Sequence, residues 1–418
     1  MKLSVEAGNA PHPPLRASGS YRSCILPILL FWVGVAGAQQ VSERARELHR
    51  QALVFDAHVH MANRQFYHGG DIGDRLVGGQ VDLPRAREGG LKAMFFSIFV
   101  HERYYPARYE TKQALRLIDL ALDQIEKNKA DIALAMNASD IERIVKEGRI
   151  AAVLDIEGGF DLDGDLGVLR MLHRLGLRSA QLPAHNWTNH FADSCCAPPK
   201  WNGLNDQGRT VVREMNRLGM VINISHASDE TMRQVIELSS DPVVATHHGL
   251  RSFNNIPRTM PDDILKLLAS RGGVIAFHVG NEFHNRALFD YQTGRAGKPF
   301  WDTRAIGRLE ASLSIHEIDK MLAARRTGEG AGGPDELIFS VDDWFRVVDR
   351  AIEVAGEDHV ALGSDFDGGP TLPKPMRDIR DLPMLTDAML RRGYTPERTR
   401  KFLGGNLLRV FREVTEAK

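Results

Sequence analysis

The chain has 418 residues, with 53 basic and 54 acidic side chains and a formal net charge of −1, so it carries no electrostatic footprint for nucleic acid. Three cysteines exclude a disulfide scaffold and a multi-cysteine zinc ribbon, while 16 histidines direct any metal chemistry toward imidazole and carboxylate. A content of 43% hydrophobic and 26% charged residues is that of a soluble globular protein, and the length suits either two to three domains or one α/β barrel with insertions.

Residues 25–38 read ILPILLFWVGVAGA, follow Arg16 and Arg22, and end in Ala36-Gly37-Ala38. A basic lead, a short apolar run and an A-x-A site predict a cleaved signal peptide over residues 1–38. The run is shorter than the roughly 20 residues a membrane span needs. Cys24 precedes the run, which argues against a lipoprotein site, and Glu413 to Lys418 supplies no apolar tail for a glycolipid anchor. The expectation is an exported protein, periplasmic or secreted, free of the membrane once the signal is removed.

From residue 39 onward, short apolar runs alternate with amphipathic stretches. The runs are Leu53–His60, Lys92–Val100, Ile150–Glu157, Ser179–His185, Val221–His226, Pro242–His247, Gly273–Val279 and His359–Asp365. Continuous apolar runs that stop at a polar residue are the pattern of strands buried on both faces. Helical patterns lie between them at Thr111–Asn128, Asp165–Leu175, Gly208–Leu218, Ser228–Leu238 and Asp262–Ser270. Eight strands with intervening helices predict a (β/α)₈ TIM barrel, with Ile132–Met136 as an extra short strand. An insertion of about residues 281–337 follows the seventh strand, carries no clear strand, and is placed to cover the barrel mouth. Its end, Thr327 to Pro334, is rich in glycine and reads as flexible.

The polar residues fall at the carboxyl ends of these strands, where barrel enzymes place catalytic groups. The first strand ends Asp56-Ala-His58-Val-His60, and a spacing of two puts both imidazoles on one face. The third ends in Glu157, the fifth in Ser225-His226, the sixth in Thr246-His247-His248, and the eighth in Gly363-Ser-Asp365-Phe-Asp367. Any one of these is weak evidence. Together they bring four histidines and a carboxylate to one rim, enough ligands for two zinc ions. Burying them there without a metal would leave polar atoms without partners.

With these motifs the sequence resembles the renal (membrane) dipeptidases of the amidohydrolase superfamily, from about residue 53 to 412. The likeness runs through Asp56-Ala-His58, Glu157-Gly-Gly with Leu166 to Arg170, His185-Asn with Ala192-Asp193-Ser194, and Ser225-His226-Ala-Ser with Thr231-Met232. It continues in Thr246-His247, Arg258, Pro261-Asp-Asp263, Gly363 to Gly368 and Gly405 to Phe411. The resemblance implies two zinc ions bridged by Glu157, with His58 and His60 completing one site and His226 and His247 the other. It implies hydrolysis of dipeptides by a metal-bridging hydroxide, with Asp365 as general acid/base, His185 at the scissile carbonyl and Arg258 on the substrate's terminal carboxylate. It favours a free C-terminus, often with tolerance of a D-residue, and leaves a homodimer open. His248, His278 and His284 receive no role from it and are read as structural.

One departure stands out: relatives generally carry Asp where this chain has His60. A neutral ligand in place of an anionic one predicts a weaker, more exchangeable first metal site. Two further readings stay open, a related hydrolase of N-acyl amino acids, lactones or phosphotriesters, and a non-catalytic metal-binding barrel. Cys195 and Cys196 lie past His185 and are expected to be neither ligands nor bridged to each other, because sequence neighbours seldom pair.

Overall fold

The computed structural model describes residues 41–158, 165–298, 303, 305–324 and 330–416. The predicted signal peptide, Gly159 and the first residues of the glycine-rich stretch, Thr327 to Glu329, lie outside them. Nine strands form among the described residues: β1 Phe55–Val59, β2 Ala93–Phe99, β3 Ile132–Leu134, β4 Ile150–Glu157, β5 Leu177–Gln181, β6 Val221–Asn223, β7 Val244–His248, β8 Val274–Phe277 and β9 Val360–Leu362. All pair in parallel in the order β1-β2-β4-β5-β6-β7-β8-β9. A bridge between Val59 and Phe366, with His60 N–H donating to Phe366 C=O, brings the last strand back to the first. The result is a nearly closed (β/α)₈ barrel. β3 stays outside the ring, beside the first residues of β4 and below the point where β5 joins.

The helices begin where capping chemistry permits. Ser228 accepts from Thr231 N–H and starts the helix Asp229–Leu238, while Asn205 accepts from Gly208 N–H and starts Asp206–Leu218. Gly219 ends the latter in the left-handed region at φ 69°, which a glycine adopts without steric cost. The C-terminal helix Asn406–Glu416 closes the amino-terminal end of the barrel, packing Leu407, Val410, Phe411 and Val414 against the strand starts. There Phe55, Phe95 and Phe411 meet edge to face, with ring centroids 5.5–6.4 Å apart.

The insertion contains the helices Arg286–Ala296, Arg308–Ser312 and Ile315–Ala323, with no strand among its described residues. It is tied down near the carboxyl-end rim. Tyr104 donates to Asp319 at 2.6 Å, Thr303 donates to Asn186 C=O at 3.4 Å, and Gln292 donates to Thr371 at 3.1 Å. No described helix is long and apolar enough to cross a membrane.

Candidate active site

The five predicted ligands arrive at the carboxyl-end rim from four strand ends: His58 and His60 from β1, Glu157 from β4, His226 from just past β6 and His247 from β7. Asp56 supports the arrangement from below: its buried carboxylate accepts from His58 N–H at 3.0 Å and Ser364 N–H at 2.9 Å, tying the first strand to the end of the last. Burial pushes its carboxyl up to about 6. Three site residues other than glycine sit at positive φ: His185 at 54°, His226 at 62° and Asp365 at 63°. Such conformations cost on the order of 1–3 kcal/mol each and persist where surrounding structure over-determines them.

Glu157 is the centre of the site. Its Oε2 lies 3.2 Å from His58 Nε2 and 3.3 Å from His60 Nε2, and its Oε1 lies 3.0 Å from His226 Nε2 and 3.3 Å from His247 Nε2. One buried carboxylate therefore serves two separate triads, His58–His60–Glu157 and Glu157–His226–His247. Burial opposes the charge on Glu157, yet the imidazoles of His58 and His247 hold its carboxyl well below the usual range.

Three of the four imidazoles are anchored through the opposite nitrogen. His58 Nδ1 pairs with Ser97 Oγ at 2.8 Å, His226 Nδ1 with Asn186 Oδ1 at 3.0 Å, and His247 Nδ1 with Thr246 Oγ1 at 3.0 Å. An amide oxygen can only accept, so His226 carries its proton on Nδ1 and turns the Nε2 lone pair toward Glu157. Burial holds His226 and His247 well below the ordinary imidazole range, in the neutral form that binds metal. The Nε2 atoms of His58 and His60 lie 3.0 Å apart, and those of His226 and His247 lie 2.9 Å apart. Ring nitrogens brought this close to one another beside a single carboxylate suit cations shared among them. The donor set fits a pair of zinc ions.

Around this centre the structure gathers the other predicted residues. Asp365 Oδ1 lies 2.8 Å from His60 Nε2 and 3.7 Å from His58 Nε2. Burial opposes its charge, but the hydrogen bond from His278 and the imidazole of His60 beside it keep its carboxyl well below the usual value. His185 Nε2 lies 3.7 Å from Glu157 Oε1, and its ring centroid is 4.0 Å from that of His226. Arg258 is fully buried. Its Nη2 donates to His247 C=O at 2.8 Å, while Nε and Nη1 have no hydrogen-bond partner among the described residues. Burial pulls the guanidinium down to about 10, which leaves it cationic at neutral pH. A buried guanidinium with two free donors has the geometry to accept a carboxylate.

Two neighbours were not singled out from the sequence. Glu102, which opens the 3₁₀ turn Glu102–Tyr104 after β2, hydrogen-bonds His185 Nδ1 and accepts from Asn186 N–H at 3.1 Å. Burial works against its charge, but His185 and His101 draw its carboxyl down to about 2. His278, read as structural, hydrogen-bonds Asp365 Oδ2 at 2.8 Å. His248 and His284 keep backbone partners, Gly249 C=O at 3.2 Å and His278 C=O at 2.6 Å. The expectation for the cysteines is corrected: Cys195 and Cys196 form a disulfide across a Cα separation of 3.7 Å, below the usual range. The loop sets up the pairing, since Cys195 N–H donates to His226 C=O and Cys196 N–H donates to Ser194 Oγ, holding both residues in a tight rim turn.

A (β/α)₈ barrel with two carboxylate–imidazole triads at its catalytic rim defines a metal-dependent barrel enzyme. The chain belongs to the membrane dipeptidase family (Peptidase family M19), whose sequence model matches residues 42–418. It is 31% identical to the dipeptidase aclJ of Aspergillus oryzae over 344 residues, which cover 80% of this chain and 70% of that one. The fold is similar to that of the probable dipeptidase PvdM from Pseudomonas aeruginosa, with a TM-score of 0.73, 22% identity, and 90% and 98% of the two chains covered. It is also similar to a metallo peptidase from Rhodobacter sphaeroides, liganded with a phosphinate mimic of the dipeptide L-Ala-D-Ala. That likeness has a TM-score of 0.68 and 23% identity, and covers 87% of this chain and 99% of the other.

Proposed function

We propose that the protein is a zinc-dependent dipeptidase with two metal ions per chain, held by His58, His60, the bridging Glu157, His226 and His247. The observation that carries this reading is the division of Glu157, one oxygen facing each imidazole pair, beside a buried Arg258 with two free donors. When bound, the metal pair supplies Lewis acidity toward the peptide carbonyl and a nucleophile competent at neutral pH. The remaining chemistry belongs to the side chains. Arg258 takes the substrate's terminal carboxylate and fixes the register of the peptide bond. His185, oriented by Glu102, presents Nε2 toward the carbonyl oxygen as negative charge develops on it. Asp365 accepts a proton from the attacking water and delivers it to the departing amine.

The insertion, tied to the rim through Thr303 and Gln292, supports a site sized for dipeptides rather than polypeptides. The L-Ala-D-Ala mimic in the Rhodobacter sphaeroides protein supports tolerance of a D-residue at the C-terminal position. Export is part of the same proposal. The apolar run before Gln39 supports it, and so does the Cys195–Cys196 disulfide, a bond kept in oxidising compartments.

The test is a substrate panel on the zinc-loaded chain beginning at Gln39, comparing L-Ala-D-Ala and L-Ala-L-Ala with N-acetyl-D-Ala, a lactone and an amidated dipeptide. Turnover of the free dipeptides, abolished by a chelator and restored by zinc, is expected. Turnover of the N-acetyl compound or the lactone without the dipeptides would overturn the reading. Arg258→Lys separates the carboxylate's role, with kcat/KM on the free dipeptides falling about 30-fold or more while the amidated dipeptide is little affected.

A further inference from the structure

His278 closes β8 beside the site, and its ring is held on several sides. Its Nδ1 accepts from Gly280 N–H at 2.6 Å, and its face stacks on Phe283 with centroids 3.9 Å apart and planes at 27°. Its backbone is fixed as well, because its C=O accepts from Trp344 Nε1 at 2.9 Å and from His284 Nε2 at 2.6 Å. A backbone N–H can only donate, so Nδ1 must carry a lone pair and the ring proton must sit on Nε2. That proton points at Asp365 Oδ2, 2.8 Å away. The same Phe283 ring lies 5.3 Å from the Arg258 guanidinium, so one aromatic plate packs against both the carboxylate receptor and the imidazole on Asp365.

We propose that His278 is a positioning residue for Asp365: its Nε2–H holds Oδ2 and so dedicates Oδ1 to proton transfer. The proposal rests on the reading of Asp365 as acid/base. Oδ1 takes the proton of the attacking water as the C–O bond forms and returns it to the amine nitrogen as the C–N bond breaks. Oδ2 keeps one hydrogen bond throughout, and His278 neither gains nor loses a proton. A neutral donor suits this task, since it fixes the carboxylate's rotation without adding a charge that would compete with the cluster. Gly280 belongs to the same device, because a Cβ at that position would run into the His278 ring.

The test uses the zinc-loaded full chain with L-Ala-D-Ala, measuring kcat, KM, bound zinc and melting temperature for His278→Phe, His278→Gln, Gly280→Ala and Asp365→Asn. His278→Phe keeps the ring stack and loses the donor. It should lower kcat by about 10- to 100-fold, the usual cost of an outer-shell partner, with KM, zinc content and melting temperature close to the parent's. His278→Gln restores an N–H donor and should recover most of the loss, and adding His278→Phe to Asp365→Asn should cost nothing further. Parental kcat in His278→Phe beside an inactive Asp365→Asn would overturn the proposal alone. Equal losses in the Phe and Gln variants at intact zinc content would do the same. An Asp365→Asn enzyme with parental kcat would remove the acid/base reading and this proposal with it. If His278→Phe does not fold, Gly280→Ala displaces the ring without deleting it, and an unchanged kcat there would overturn the proposal equally.

Discussion

The two ends of the barrel are made from the same eight strands and obey opposite rules. At the amino-terminal end Phe55, Phe95, Val153, Val221, Val244 and Val274 are buried under Val410 and Phe411 of the last helix, and packing is all they do. At the carboxyl-terminal end the same strands bury His58, Glu157, His226 and His247 beside a half-buried Asp365, groups that are costly to take out of water, with His226 and Asp365 held at strained backbone positions. The lower end stores stability, and the upper end gives some of it up to hold a reactive geometry. A substitution should therefore cost either turnover or stability, according to the end at which it falls.

Asp365→Asn gives the largest expected effect on turnover. It should lower kcat by about 10²- to 10⁴-fold while leaving the melting temperature equal to or above the parent's, because a buried charge has been removed. Phe411→Ala should do the reverse, costing about 3–5 kcal/mol in denaturant unfolding with kcat unchanged in the folded enzyme. Loss of turnover without loss of stability in Phe411→Ala would break the contrast.

A third position lies on neither end and titrates. His49 joins the helix Glu43–Gln51 to its neighbours, its Nε2 donating to Gly89 C=O at 2.8 Å and its Nδ1 accepting from Thr386 Oγ1 at 2.7 Å. Burial lowers its imidazole from 6.5 to about 4, so it is neutral in the fold. Between those values the unfolded chain binds more protons than the folded one. The contribution is therefore complete above about pH 6.5 and is lost as pH falls toward 4, on the order of 3 kcal/mol in all. Unfolding curves at pH 7 and pH 4.5 should show a smaller acid loss in His49→Gln than in the parent, and parallel losses would contradict the assignment.

The smallest effect concerns His60, a proposed neutral ligand where the family resemblance implies an anion. His60→Asp should tighten the first metal site, so that two steps in a chelator titration of bound zinc draw together. Two zincs leaving the parent together at one chelator strength would contradict the charge argument.

Much of the upper rim was legible because strand chemistry leaves a trace in sequence. An apolar run that stops at His, Glu or Asp marks both a buried strand and the residue at its mouth, which brought out His58, Glu157, His226, His247 and Asp365. The structure shows why β6 and β9 are shorter than their apolar runs, ending at Asn223 and Leu362. Beyond those points the chain leaves the ladder, and His226 and Asp365 turn inward at positive φ. Glu102 left no such trace, because its value lies in reaching His185 from another strand, a contact no spacing encodes. His278 ends a run like the others, but its meaning depends on Gly280 and Asp365, which only the fold brings to it. The Cys195–Cys196 bridge was missed because it depends on a local turn rather than on the number of cysteines.

The most direct measurement of the proposed binuclear centre is the zinc content of the purified chain and of its Glu157→Ala variant, by elemental analysis after dialysis against trace zinc. One carboxylate serving both triads requires about two zinc ions per parent chain and the loss of both from the variant. A parent that binds none, or a Glu157→Ala chain that still holds its full complement, would contradict it.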